Sequence, residues 1–195
     1  MKYLLVLFSC FSFLFANAQI KTKSAVRSLD SKITIYYDGE FYEVVDNAHN
    51  VVMLDSISDV VFLDSVNCFF AKEIRYYFDE GIGEYTAVNS SSWNLYNFSL
   101  NKLVKESIEL DELPTPDQEN KLLIRLPNIT LDRKYIILKT DAKGYGVVDS
   151  KVGLIIPFKY YSIEISDDQL YFYAYNEDLN SFITYDRQGK VVPNK

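Results

Sequence analysis

From Ile33 onward the chain is a succession of short apolar runs broken by turn residues roughly every 8–12 positions, the spacing of an all-β array. Val, Ile, Tyr and Phe dominate these runs, the residue types that suit a pleated, half-buried surface. Almost no stretch sustains a 3.6-residue period; residues 102–112 are the one place where a helical turn competes. Candidate strands include 51–54, 60–63, 67–78, 102–108, 121–126, 134–140, 145–149, 169–175, 181–185 and 190–192. Short strands with tight connections predict an all-β protein, an antiparallel meander of repeated β-hairpins with a propeller- or solenoid-like arrangement.

Four segments share one pattern: an aromatic residue, any residue, two mostly apolar residues, Asp or Asn, a short turn and an apolar strand. They begin at Tyr42, Trp93, Tyr145 and Phe182. The acid or amide falls at Asp46, Asn97, Asp149 and Asp186, spaced by 51, 52 and 37 residues. Asp or Asn opening a turn accepts a backbone N–H two residues on, which closes the hairpin. Gly153 and Gly189 supply the positive φ such a turn needs near its end. A hairpin cannot bury an apolar face alone, so repeated hairpins must stack on one another.

The third segment is the most complete. Gly144-Tyr145-Gly146, Asp149, Gly153, Ile156-Pro157 and Lys159-Tyr160 follow one another within residues 133–163. This stretch resembles the WG-repeat (WG-containing β-repeat) family, with Tyr145 standing where that family most often has Trp. Tyr185-Asp186-Arg187-Gln188-Gly189-Lys190 is similar, whereas the segments at 42 and 93 lack the glycines. The resemblance implies exported or cytosolic β-repeat modules, often bacterial, without general catalytic activity, and it brings no catalytic residues with it.

Residues 1–18 read as a secretory signal peptide. Lys2 is the charged start, Leu4 to Phe15 the apolar run, and Ala16-Asn17-Ala18 the small-x-small cleavage pattern before Gln19. The run is too short to span a bilayer, which takes about 20 apolar residues. Cys10 raises lipidation as an alternative, although Phe8 is bulky for such a cleavage site. Residues 19–32 are polar and aperiodic and read as a flexible lead-in, leaving 33–195 as a single β-repeat domain. These features predict a secreted or periplasmic protein with no membrane span. An outer-membrane barrel fits less well, because runs such as Leu154-Ile155-Ile156 are apolar on both sides.

The net charge of −7 argues against nucleic acid, which needs clustered Lys and Arg. After leader removal one cysteine remains, Cys68, in an apolar run, where it reads as a small core side chain. His49 is the single histidine and sits in a predicted turn. One His and one mature Cys leave no His/Cys zinc set within a chain, and no Gly-x-Ser-x-Gly elbow or phosphate loop occurs. No cofactor, metal site or catalytic residue is expected.

Acidic residues crowd Asp79–Glu84 and Glu109–Glu119, without the ligand spacing of a calcium site or the signature of a glycosidase pair. The remaining candidate is Leu170-Tyr171-Phe172-Tyr173-Ala174-Tyr175. Strand alternation places Tyr171, Tyr173 and Tyr175 on one face, where they would stack on sugar rings, pack on a protein partner or be covered by a neighbouring repeat. Asp55-Ser56-Ile57 and Asp64-Ser65-Val66 resemble O-glycosylation sites of exported Bacteroidetes proteins. The expected function is a non-enzymatic, exported binding or scaffolding protein of the bacterial cell envelope, its ligand an unknown protein or glycan. A carboxylate-dependent envelope hydrolase and a small inhibitor or immunity-type protein are the alternatives.

Overall fold

The computed structural model describes residues 23–29, 31–88, 92–110, 129–140 and 143–193. The proposed leader, Cys10 and most of the acidic stretch 109–119 lie outside these residues. Among the described residues there is no α-helix, and all sheet pairings are antiparallel. The first sheet comprises β1 (Ser24–Leu29), β2 (Ile33–Tyr37), β3 (Tyr42–Asp46), β4 (Val51–Leu63), β5 (Cys68–Glu73), β8 (Ser92–Asn97) and β9 (Ile108–Glu109), adjacent in that order. Between β5 and β8 the chain makes a separate hairpin, β6 (Arg75–Asp79) and β7 (Glu84–Val88). β10 (Ile129–Asp132), β11 (Tyr135–Thr140), β12 (Gly144–Asp149) and β13 (Gly153–Tyr160) form a four-stranded sheet. β14 (Ser162–Ile165), β15 (Tyr171–Asn176) and β16 (Ser181–Asp186) form the last. Among the described residues no sheet closes into a barrel.

The expected meander is therefore present, organised as four similar units. β4 belongs to two of them. Its first half pairs with β3 and its second with β5, and Ile57 has Cα partners in both, Tyr42 and Glu73. Register shifts flank this point, and Ser56 takes a left-handed φ of 52°. A bulge of this kind bends a strand. It lets the two halves of the long sheet enclose one core: Leu29, Ile35 and Val44 from one side, Val60, Phe69, Ala71 and Tyr96 from the other.

Each unit turns at the same two places, through connections of different length. The first has a non-glycine residue at positive φ, namely Ser31, Asn67, Arg133 or Gln169. The second follows the Asp or Asn and ends in Asn50, Leu100, Gly153 or Gly189, again at positive φ. Spacing irregularities have a simple origin. The 37 residues from Asp149 to Asp186 hold an uninterrupted unit, whereas the 51 from Asp46 to Asn97 also hold the β6–β7 hairpin. The 52 from Asn97 to Asp149 include 111–128.

The inner half of the first sheet and the four-stranded sheet are covered on both faces, which explains their unbroken apolar runs. In β5, Cys68 and Phe70 face the third unit while Phe69 and Ala71 face the first, and all four are 0% exposed. In β11, Ile136 and Leu138 pack toward the second unit, with Trp93, Leu95 and Val148, while Tyr135 and Ile137 pack toward the last, with Phe172 and Tyr185.

Several strand boundaries differ from the sequence reading. Residues 24–29, read as flexible lead-in, form β1, whose solvent-facing residues hide its strand character; only Leu29 is buried. Runs 51–54 and 60–63 are one strand, and 67–78 is two. Residues 102–108 contribute only a bridge at Lys102 and the start of β9. The candidate strand 121–126 lies outside the described residues.

Candidate functional site

The four turn positions make equivalent bonds. Asp46 Oδ1 accepts from Ala48 N–H at 2.8 Å, Asn97 Oδ1 from Ser99 at 3.1 Å, Asp149 Oδ1 from Lys151 at 2.8 Å, and Asp186 Oδ1 from Gln188 at 2.9 Å. Gly153 and Gly189 do more than relieve φ. A Cβ on Gly153 would stand 2.6 Å from the Leu103 carbonyl oxygen of the preceding unit, and one on Gly189 would strike the Ile155 carbonyl. Leu154 N–H donates to that Leu103 oxygen at 3.1 Å. These contacts join adjacent units of the array.

Asp149 is the most buried of the four turn residues. Burial alone would raise its pKa, but Lys134 Nζ at 2.5 Å and the N–H groups of Lys151 and Val152 outweigh this and hold it below the usual carboxylate value. His49 is exposed, with Nδ1 2.8 Å from Asp46 Oδ2; this bond, with the Ala48 N–H, lowers the Asp46 pKa. Cys68 is a free, buried cysteine whose thiol is pushed up to about 12, first by burial and then by the charge of Asp149. Asp79 is engaged within its own turn, accepting from Gly81 N–H at 2.8 Å. No group of three or more metal-ligating side chains occurs among the described residues.

The tyrosine stripe lies on β15. Phe172 and Ala174 are 0% exposed against the third sheet, so Tyr171, Tyr173 and Tyr175 occupy the opposite face. Among the described residues no further sheet covers that face. Tyr173 is 37% exposed, and its cross-strand partners are Glu164 and Thr184. Tyr175 donates from its hydroxyl to Asn180 Oδ1 at 2.6 Å. Its ring lies 5.2 Å from Phe182 and meets Tyr161 edge-on at 6.2 Å. Phe182 is half exposed and Tyr161 66% exposed. The surface is thus wider than the sequence stripe: it gains Phe182 through β16 register and Tyr161 through the turn into β14.

Beyond Tyr161 the surface runs into a groove of about 470 Å³ between the third and last sheets. Tyr145, Tyr160, Lys139 and Lys159 line one side, Asn176, Glu177 and Asp178 the other. Lys139 Nζ lies 5.7 Å from the Tyr145 ring centroid and Lys159 Nζ 5.4 Å from that of Tyr160. Below, the Tyr160 and Tyr185 hydroxyls hydrogen-bond to each other in the core. Burial, with the Tyr160 hydroxyl beside it, pushes the Tyr185 phenol up to about 12. A second recess, of about 480 Å³, lies between Val104–Glu109 and the third sheet, where Lys143 bridges to Glu106 at 2.7 Å.

The other exposed aromatic group is the β6–β7 hairpin, with Tyr76, Tyr77, Phe78, Ile82 and Tyr85. Its signal in the sequence is the surplus length between Asp46 and Asn97.

No family model matches the chain, and no curated protein matches it. Similar solved structures include KlHsv2 with loop 6CD replaced by a Gly-Ser linker, at 9% identity and a TM-score of 0.30, covering 87% of this chain and 51% of that one. Another is Kuenenia stuttgartiensis hydrazine synthase, at 14% identity and a TM-score of 0.29, covering 93% and 52%. A eukaryotic initiation factor follows at 12% identity and 0.28, covering 92% and 45%. The chain spans about half the length of these proteins. Among the described residues no helix is long and apolar enough to cross a membrane.

Proposed function

We propose that this chain is an exported, non-enzymatic β-repeat binding module of the bacterial cell envelope, WG-like in its repeat. It engages a protein or glycan through the outer face of its last sheet. The observation that carries this reading is the aromatic surface Tyr161–Tyr173–Tyr175–Phe182, left open where the inner sheets are covered on both faces. Tyrosine rings offer flat apolar area with a polar rim and few rotatable bonds, which suits both sugar stacking and protein contact. The leader-like residues 1–18 support export.

The test compares the chain with a Tyr171→Ser, Tyr173→Ser, Tyr175→Ser variant in pull-downs from envelope extract. The emission of the single buried Trp93 reports folding in both. Loss of specific capture with unchanged emission supports the site. Equal capture by both proteins removes it. Export is checked separately by the intact mass of the protein recovered from the envelope fraction, expected to begin at Gln19.

A further inference from the structure

The β6–β7 hairpin contributes to none of the three cores. Among the described residues each of its strands pairs only with the other. Tyr76, Phe78 and Ile82 are 51%, 50% and 64% exposed and Tyr85 is 73% exposed. Register places Tyr76, Phe78 and Tyr85 on one face, and the Phe78 and Tyr85 rings meet at 5.3 Å. A lone two-stranded hairpin is marginal in water, and a cluster of exposed aromatics of this kind marks a contact surface. Its tip is acidic: Asp79, Glu80 and Glu84 surround Gly81-Ile82-Gly83. That charge disfavours an anionic membrane surface and calls for a cationic, aromatic acceptor.

The same chain carries such an acceptor. Residues 129–161 hold six Lys and Arg against three Asp, in a chain whose net charge is −7. Three of these lysines, Lys139, Lys143 and Lys159, line the groove between the third and last sheets beside Tyr145 and Tyr161. Lys139 and Lys159 are exposed and held over tyrosine rings. Glu177 and Asp178 on the far rim repel an acidic tip and so favour its entry along the lysine wall. At physiological salt, charges act over about 8 Å, so this local pattern outweighs the acidity of the whole.

We propose that the β6–β7 hairpin of one copy docks into the groove between the third and last sheets of a second copy, head to tail. Donor and acceptor are different surfaces, so every copy in a row still offers one of each. Such contacts build open chains unless the rotation closes a ring.

The test is sedimentation velocity of the purified chain over a concentration series. Association is expected with a dissociation constant on the order of micromolar, as suits a small interface. It should weaken roughly tenfold or more between 50 and 500 mM salt. A Tyr76→Ser, Phe78→Ser, Tyr85→Ser variant and a Lys139→Glu, Lys159→Glu variant should each be monomeric. An Asp79→Lys, Glu80→Lys, Glu84→Lys variant should also be monomeric alone, yet associate when mixed with the Lys139→Glu, Lys159→Glu chain. Trp93 emission verifies folding; should the serine variant unfold, replacing residues 74–91 with a short Gly-Ser turn removes the hairpin while keeping the β5–β8 pairing. A chain monomeric at every concentration, oligomers that survive both surface changes, or a charge-reversed pair that stays apart overturns the proposal.

Discussion

Arg187 Nη1 donates to Asp132 Oδ2 at 2.9 Å across the seam between the third and last sheets, joining residues 55 positions apart. Both side chains are largely buried, at 13% and 18% exposure. The guanidinium also lies 4.4 Å from the Phe172 ring centroid, and Nε donates to the Gln169 carbonyl at 2.8 Å. Replacing Arg187 with Ala leaves Asp132 without this partner and uncovers two aromatic rings. The expected loss is about 2–4 kcal/mol. Urea denaturation of the wild-type and variant chains measures it.

Gly153 and Gly39 share nearly the same φ, 101° and 99°, but only Gly153 faces a neighbouring backbone. A Cβ on Gly39 meets nothing within 4 Å. Gly39→Ala therefore carries only the conformational strain, about 1 kcal/mol. Gly153→Ala adds displacement of the Leu103 strand and should cost about 3 kcal/mol. The difference between their denaturation midpoints isolates the close approach.

The folded-state pKa of Asp149 lies below its ordinary value of 3.8, and that of Lys134 lies above its ordinary 10.5. The carboxylate's contribution to stability is complete above the unfolded value and is lost as pH falls through the depressed folded value. The lysine's contribution is complete below 10.5 and lost as pH rises beyond its raised value. Asp149→Asn should cost about 1–2 kcal/mol at pH 7 and flatten the decline in stability below about pH 4. Thermal melts between pH 2.5 and 7 show whether it does.

The Cys68 thiol is buried and pushed up to about 12, so almost no thiolate exists at pH 8 in the folded chain. Ellman's reagent should react at a rate set by opening of the β5 core rather than by reagent access. The labelling rate should rise with urea in parallel with unfolding. Fast labelling in native buffer would mean the strand is not held as described.

The turn residues are legible because an Asx turn is local: the side-chain acceptor and the backbone N–H that donates to it lie two residues apart, and the pattern repeats. The inner strands are legible because burial on both faces leaves long apolar runs such as Tyr135-Ile136-Ile137-Leu138. β1 is not, since its polar outer residues conceal a strand that buries only Leu29. β4 reads as two strands in the sequence because of Asp55-Ser56, whose polarity belongs to a bulge rather than to a turn. The tyrosine stripe follows from period-two alternation, but its extension to Tyr161 and Phe182 depends on register, as the Arg187–Asp132 seam depends on unit stacking. Neither leaves a local trace in the chain.

Because β4 runs unbroken through two units, the two halves of the first sheet have no joint at which to part. The last sheet is different: among the described residues only one of its faces is covered, and a single residue, Tyr161, separates its first strand from β13. Among the stacked units, opening should therefore proceed as erosion from the last sheet, with amide exchange fastest in β14–β16 and slowest in β5 and β8. Unlike a string of beads, the array would wear from one end, and the surface proposed to meet a ligand sits at that end. A bound ligand would then act as a terminal cap, lengthening the lifetime of sheets it never touches.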